Sequence, residues 1–338
     1  MKMETINNEF VIDAVITWVD GNDNNHQQKM NKYLDDSKNI NSKTFRTRFD
    51  QVNEIEFAVK SIIKFAPYIK NIFIVTDNQI PPFLENYNKQ KVDSQPTITV
   101  VDHKVIFSEF NSLLPVFNCR PIETLVYKIP SLSEHFIYFN DDFSLLKKTT
   151  PSDFFVDGFP VLRGEWKPLD ENIFHKKVIN GVLRLFGKES RDKKYGYKRG
   201  QQNAARALGF GSYFKLDHTP APIRKSSLKN YFESHLEMQD RNIRHRFRNP
   251  EQYVLQSLAN HIEIKKGSAL LKEDYQLIYI GGSHKKPLYW YRKMMHKAVN
   301  DDSKLFLCMQ SLDLCPKNRL DLLFGWLQKR LNIDNLSF

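Results

Sequence analysis

The residues best able to do chemistry lie together in His135–Phe143, which reads H-F-I-Y-F-N-D-D-F. An apolar run passes straight into Asn140, Asp141 and Asp142. A buried strand needs the apolar run and rejects two adjacent carboxylates. The conflict is relieved if the strand ends at Phe139 and carries Asn140–Asp142 at its tip. Paired acids at a strand tip can hold a divalent cation against a phosphate, because such an ion takes one or two carboxylates and leaves room for substrate oxygens. An Asn-Asp turn that only solubilises a strand end fits the same residues. The segment alone does not choose between the two.

The elements that must position these acids are legible upstream. Residues 11–19 predict a buried first strand running into Asp20-Gly21. Residues 71–76 predict a second strand, ending in Asp77-Asn78, and 97–101 a third, ending in Asp102-His103. Residues 136–139 are the fourth. Between the first two, residues 22–44 read as a polar loop with a short helix. Glu54–Phe65 places Ile55, Val59, Ile62 and Ile63 at helical spacing and is closed by Pro67. Pro121–Ile129 predicts a helix with proline in its first turn. That puts Glu123 at a helix start, where a carboxylate also serves the helix dipole.

Continuous apolar strands imply burial on both faces, hence an α/β fold with a mainly parallel, Rossmann-like sheet and flanking helices. Ligands of such sheets sit beyond the carboxyl ends of the strands. Asp20, Asp77 and Asn78 are therefore expected near the ligand, with Asp102 and His103 on the same rim. Trp18 and Phe73 read as core.

The chain has 338 residues, with 50 Lys+Arg against 39 Asp+Glu and a formal charge of +11. A basic surface favours anionic partners, phosphorylated substrates and anionic lipid among them. Nucleic acid is not expected, since no zinc-finger spacing or RNP-like aromatic signature is present. No apolar stretch reaches spanning length and the start carries no apolar leader. A cytoplasmic protein is expected, with peripheral contact at the inner face of a membrane as a second reading. Cys119, Cys308 and Cys315 show no metal-ligand spacing and fit reduced thiols.

The organisation expected is an α/β core over 1–150, a helical, basic insertion over 151–215, the second half of a catalytic domain over 216–310, and an amphipathic C-terminal helix over 311–338. The insertion carries Lys176-Lys177, Arg191–Lys194 and Lys198-Arg199. Gly187-Lys188-Glu189-Ser190 lacks the upstream glycine of a P-loop. The tail places Leu323, Trp326, Leu327 and Leu331 on one side, flanked by Lys317, Arg319, Lys329 and Arg330. An ordinary packed helix is the preferred reading of it. Docking on an anionic membrane is the alternative.

A family resemblance rests on a long ordered series of motifs. I-D-A-V-I-T-W-V-D-G (12–21) resembles the first conserved region of the Stealth family of sugar-1-phosphate transferases, and Arg48 through Asp142 resembles the second. Within the latter stand N-E-I-E-F-A-V-K-S-I (53–62), I-V-T-D-N-Q-I-P-P (74–82), P-I-E-T (121–124) and L-S-E-H-F-I-Y-F-N-D-D-F (132–143). H-T-P-A-P (218–222) and H-R-F-R (245–248) resemble the third. Two departures stand out. Lys60 replaces a usual arginine, and Leu305–Ser311 lacks the expected acid, which is missing or displaced to Asp313.

The resemblance implies a glycosyltransferase-A-like nucleotide-sugar fold. It also implies transfer of a sugar-1-phosphate from a UDP-sugar to a hydroxyl of a glycan acceptor, lipid-linked in one version, in capsule or exopolysaccharide synthesis. UMP leaves and a phosphodiester forms. It marks Asp142 and Glu123 as functional acids, His218 as general base, Arg248 as phosphate clamp, and Arg48 beside the nucleotide. Asp142, with Asp141 beside it, is the expected ligand of Mg2+ or Mn2+. Two other functions stay open: a glycosyltransferase that moves the sugar alone, and, more distantly, a basic nucleic-acid-binding protein.

Overall fold

A computed structural model describes residues 10–34, 52–90, 94–173, 196–281 and 285–332. Its centre is a five-stranded sheet. β1 (Ile12–Thr17), β2 (Ile69–Thr76), β3 (Thr97–Asp102) and β4 (His135–Asn140) are mutually parallel, in the order β4-β1-β2-β3. One antiparallel strand, Ala221–Arg224, closes the β4 edge.

Alternation along each strand buries both faces. Ile12, Ala14, Ile16, Ile72, Ile74, Ile137 and Phe139 enter one cluster, with α2 (Glu54–Phe65) against them; α1 (Asn24–Asn31) precedes that helix. Val15, Phe73, Val75, Phe136 and Tyr138 enter the other. That face is covered by residues of α5 (Cys119–Leu125), α7 (Lys225–Ser234), α8 (Leu236–Ile243) and α9 (Leu255–Lys266). Intervening helices are α3 (Phe83–Gln90), α4 (His103–Ile106) and α6 (Tyr197–Ala207). Asp13, fully buried in β1, is satisfied by Asn71 and by the backbone N–H of Ser133 at 2.8 Å.

The turn Asp141-Asp142 is where the chain leaves this sheet. β5 (Phe143–Leu145) begins at once and pairs in a separate three-stranded sheet with Leu277–Tyr279 and Phe306–Cys308. This second sheet packs with α2, α10 (Leu288–Asn300) and α11 (Lys317–Leu331) around Phe57, Tyr291, Leu307, Leu323 and Leu327.

The mainly parallel α/β architecture matches expectation, and three local readings need correction. β4 runs one residue further, to Asn140. The helix expected from Pro121 begins at Cys119, because the Asn118 side chain caps it by accepting from the Arg120 N–H. Glu123 is therefore past the first turn, and helix capping does not explain it. The stretch from 151, expected as helical, holds three short strands (Phe155–Val156, Phe159–Arg163 and Glu165–Pro168) before residue 173. Residues 174–195, with most of the basic clusters and the rejected P-loop match, lie outside the described residues. Among the described residues no helix is long and apolar enough to cross a membrane.

Candidate active site at the strand ends

All four parallel strands deliver their carboxyl ends to one rim, and two adjoining cavities open there. The first, about 310 Å³, lies over the ends of β1 and β4, against α2 and α5. The second, about 140 Å³, lies toward β4, α5 and α6. Cys119, Glu123, Asn140, Arg248 and Gln310 belong to the walls of both.

The first cavity is acidic. Glu54, Asp141, Asp142 and Asp313 all line it. Burial raises the Glu54 carboxyl to about 7, with the Asp142 and Asp313 charges adding to the rise against a bond from the Val52 N–H. Burial likewise lifts Asp142 to about 6, opposed by the Cys308 thiol, which donates to Oδ2 at 3.7 Å. Asp141 is pushed well above the carboxylate range by burial and by Asp142 and Glu54 beside it. The Asp142 Oδ1 atom is buried without a hydrogen-bond partner. Carboxyls that raise one another, with a buried oxygen left unpaired, are what a divalent cation would relieve. Among the described residues no three His, Cys, Asp or Glu side chains form a ready metal cluster. A cation that takes two carboxylates and fills its shell with water and phosphate fits that sparse set.

The second cavity is built around His218. Its imidazole lies between two phenol rings, stacked on Tyr197 at 4.8 Å and on Tyr279 at 5.3 Å between centroids. Burial lowers its pKa, against the pull of Asp217. The ring is thus held neutral at pH 7 and its orientation is fixed by stacking. The Tyr279 hydroxyl donates to Gln310 in the shared wall at 2.5 Å.

In that wall, Glu123 is buried and accepts from the Tyr138 hydroxyl at 3.2 Å, and Tyr138 in turn meets the Thr17 hydroxyl at 2.7 Å. Arg248 lines both cavities beside Cys119, with Nη2 at 3.9 Å from Sγ. The adjacent Arg246 is held differently. Its guanidinium lies 4.6 Å over the Tyr33 ring and reaches the carbonyls of Ser112 and Leu114. That contact helps set the segment carrying Arg248.

Asp142, Asp141, Glu123, His218 and Arg248 thus come together on the walls of two adjoining cavities. Asp20, Asp77 and Asn78 stand at the rim outside those walls. The Asp20 backbone is tied to the Gln79 side chain at 2.9 Å. The Asp77 carboxylate takes Lys29 at 3.0 Å and His26 at 3.5 Å. Burial alone would raise it, but those bonds prevail and hold it well below the usual carboxylate range. Arg48 lies outside the described residues.

Sequence reasoning did not assign Glu54, Cys119, Arg120, Tyr197 or Tyr279 to the site. For Glu54 a signal existed, a carboxylate in the first turn of a helix whose start faces the strand tips. Tyr197 and Tyr279 are isolated in sequence and meet His218 only through the fold. Asp313, noted as a displaced acid, does reach the cavity wall. Trp18, read as core, is 5% exposed but also lines the first cavity, and its Nε1 has no partner.

A parallel sheet whose strand ends carry paired acids, with a histidine in the adjoining cavity, defines an α/β protein with a candidate site at its carboxyl rim. Residues 48–160 match conserved region 2 of the Stealth proteins and residues 10–38 match conserved region 1. A capsular polysaccharide phosphotransferase of Haemophilus influenzae is 32% identical over 321 residues, 91% of this chain and 80% of the relative. A receptor polysaccharide phosphotransferase of Streptococcus oralis is 33% identical over 258 residues, 71% of this chain and 74% of its own length. The chain belongs to the Stealth family. Among solved structures, a galactosyltransferase (LgtC) with donor and acceptor sugar analogs aligns over 96% of this chain and 97% of its own, at 11% identity and a TM-score of 0.45.

Proposed function

We propose that this enzyme is a polysaccharide phosphotransferase that moves a sugar-1-phosphate from a UDP-sugar to a glycan hydroxyl, in capsule or exopolysaccharide synthesis. The observation that carries the reading is the shared wall: Glu123 and Arg248 stand between an acid-lined cavity and a cavity holding a neutral histidine. The phosphotransferase relatives support the same class.

In this reading the nucleotide end of the donor occupies the larger cavity. Its sugar-linked phosphate lies at the shared wall, where the Arg248 guanidinium can bind two phosphate oxygens together. An acceptor hydroxyl enters the smaller cavity. His218 takes its proton, the hydroxyl oxygen bonds to the sugar-linked phosphorus, and the bond from that phosphorus to the oxygen bridging the two phosphates breaks. UMP leaves with the bonding electrons. Glu123, held by Tyr138, orients the groups at the junction. Mg2+ or Mn2+, held by Asp142 with Asp141 beside it, supplies charge neutralisation on the diphosphate when bound.

Sugar transfer alone would release UDP instead. Incubating the full chain with a panel of UDP-sugars, Mg2+ or Mn2+ and a glycan acceptor decides between them. UMP as the nucleotide product supports phosphotransfer, and UDP supports the glycosyltransferase.

A further inference from the structure

The outward face of α10 takes no part in the site, and it carries cations without an acid. Lys285 and Lys286 precede the helix, and Arg292, Lys293 and Lys297 follow within it, with no acid between 285 and 300. None of these five cations is ion-paired among the described residues. By contrast α7 pairs Lys229 with Glu233 and α8 pairs Arg244 with Asp240, the usual arrangement of a solvated face.

Helical spacing puts Tyr289, Arg292, Lys293 and His296 on one stripe, while Tyr291 and Ala298 on the opposite stripe are fully buried. Tyr289 is 70% exposed, and Leu288 and Val299 are 36% and 46% exposed. Cations outside any ion pair, interleaved with an exposed aromatic and aliphatic side chains, make a basic surface of the kind that meets anionic lipid headgroups; Lys286 also lies 5.8 Å over the Trp290 ring. The phenol ring and leucine can enter the headgroup boundary while the cations meet anionic headgroups.

The tail helix α11, which the sequence also offered for this role, is committed elsewhere. Leu323, Leu327 and Leu331 are buried in the third core cluster, and Arg330 donates to the Leu146 carbonyl. α10 instead packs on the strand ending in Tyr279, the residue stacked on His218.

We propose that the outward face of α10 docks the enzyme on an anionic lipid bilayer. The docking is independent of which group the enzyme transfers. Full-length protein is sedimented with phosphatidylcholine vesicles with and without roughly one-quarter phosphatidylglycerol at near-physiological salt. Wild-type protein should bind the anionic vesicles at least tenfold better than the neutral ones. The double variant R292E/K293E should lose at least tenfold of that binding, and Tyr289→Ala several-fold. K329E, which changes an exposed cation on α11, should bind as wild type. Unfolding midpoints equal to wild type verify that each variant is folded. The proposal is overturned by wild-type protein that ignores phosphatidylglycerol, by R292E/K293E that binds unchanged, or by K329E that loses as much. It is overturned equally if the α10 cations are needed to retain single-stranded RNA but not vesicles.

Discussion

The two cavities share a wall and differ in what each lacks. The larger one gathers Glu54, Asp141, Asp142 and Asp313 against a single guanidinium, that of Arg248, among its described walls. Burial lifts the first three of those acids above the carboxylate range. The smaller cavity carries the Arg120 guanidinium in its wall, its Nη1 buried without a partner, and a histidine beside it. His218 is neutral, clamped between Tyr197 and Tyr279, and ready to accept a proton. One cavity gathers buried acids that a bound cation would neutralise. The other holds a histidine whose ring is oriented by two aromatic neighbours. A donor carrying charge and an acceptor carrying only a hydroxyl would impose that division.

Removing the base should have the largest effect. His218→Ala is expected to lower turnover by about 10²–10⁴-fold, the usual worth of a positioned base. Donor binding, measured by calorimetry, should stay near wild type because the nucleotide is proposed to occupy the other cavity. Turnover near wild type would take His218 out of the reaction. Asp142→Asn comes next, at about 10²–10³-fold, the scale of losing one electrostatic stabiliser. It should also blunt the dependence on Mg2+ concentration. Activity that survives EDTA undiminished would remove the metal from the larger cavity.

Much of this arrangement was legible before the fold, for a definite reason. Strand ends write themselves in sequence as an abrupt change from apolar to polar, so Asp142 and the rim could be placed from residue order alone. Helix starts are set by single caps, and Asn118 moved one by two residues, turning Glu123 from a candidate cap into a wall residue. The strands between 155 and 168 are too short to show a period of two, which hid them among basic and glycine residues. The stack around His218 was beyond reach, because Tyr197 and Tyr279 come from α6 and from the second sheet. Contacts between distant segments leave no local pattern.

The acid cavity should also be visible in stability. Between the ordinary carboxyl range near pH 4 and the values of about 6 for Asp142 and 7 for Glu54, these carboxyls hold more protons in the folded chain than in the unfolded one, while the buried His103 and His261, both lowered to about 4, work in the opposite direction. The contribution of the acid cavity to the stability of the metal-free protein therefore falls as pH rises through that window, and it is read as the difference between wild type and Asp142→Asn. An effect of a few kcal/mol corresponds to roughly 3–8 °C in unfolding midpoint for a chain of this size. Mg2+ should restore more of it at pH 8 than at pH 5.5, since at the lower pH protons already neutralise the acids. An equal response to Mg2+ at both values would dissociate the raised carboxyls from cation binding.

The smallest effect tests the histidine side. Tyr279 covers one face of His218, and aromatic pairs of this kind are worth about 0.5–1.5 kcal/mol. Tyr279→Ala should therefore cost about 2–10-fold in turnover. It should also move the acid limb of the pH profile upward, toward the unperturbed imidazole value near 6.5, because the burial that depresses the His218 pKa is partly lifted. Tyr279→Phe keeps the ring and loses only the bond to Gln310. Its acid limb should stay at the wild-type position. If Phe and Ala shift the limb alike, the hydrogen bond governs the base; if neither shifts it, Tyr197 and the surrounding burial are enough to hold His218 neutral without the second ring.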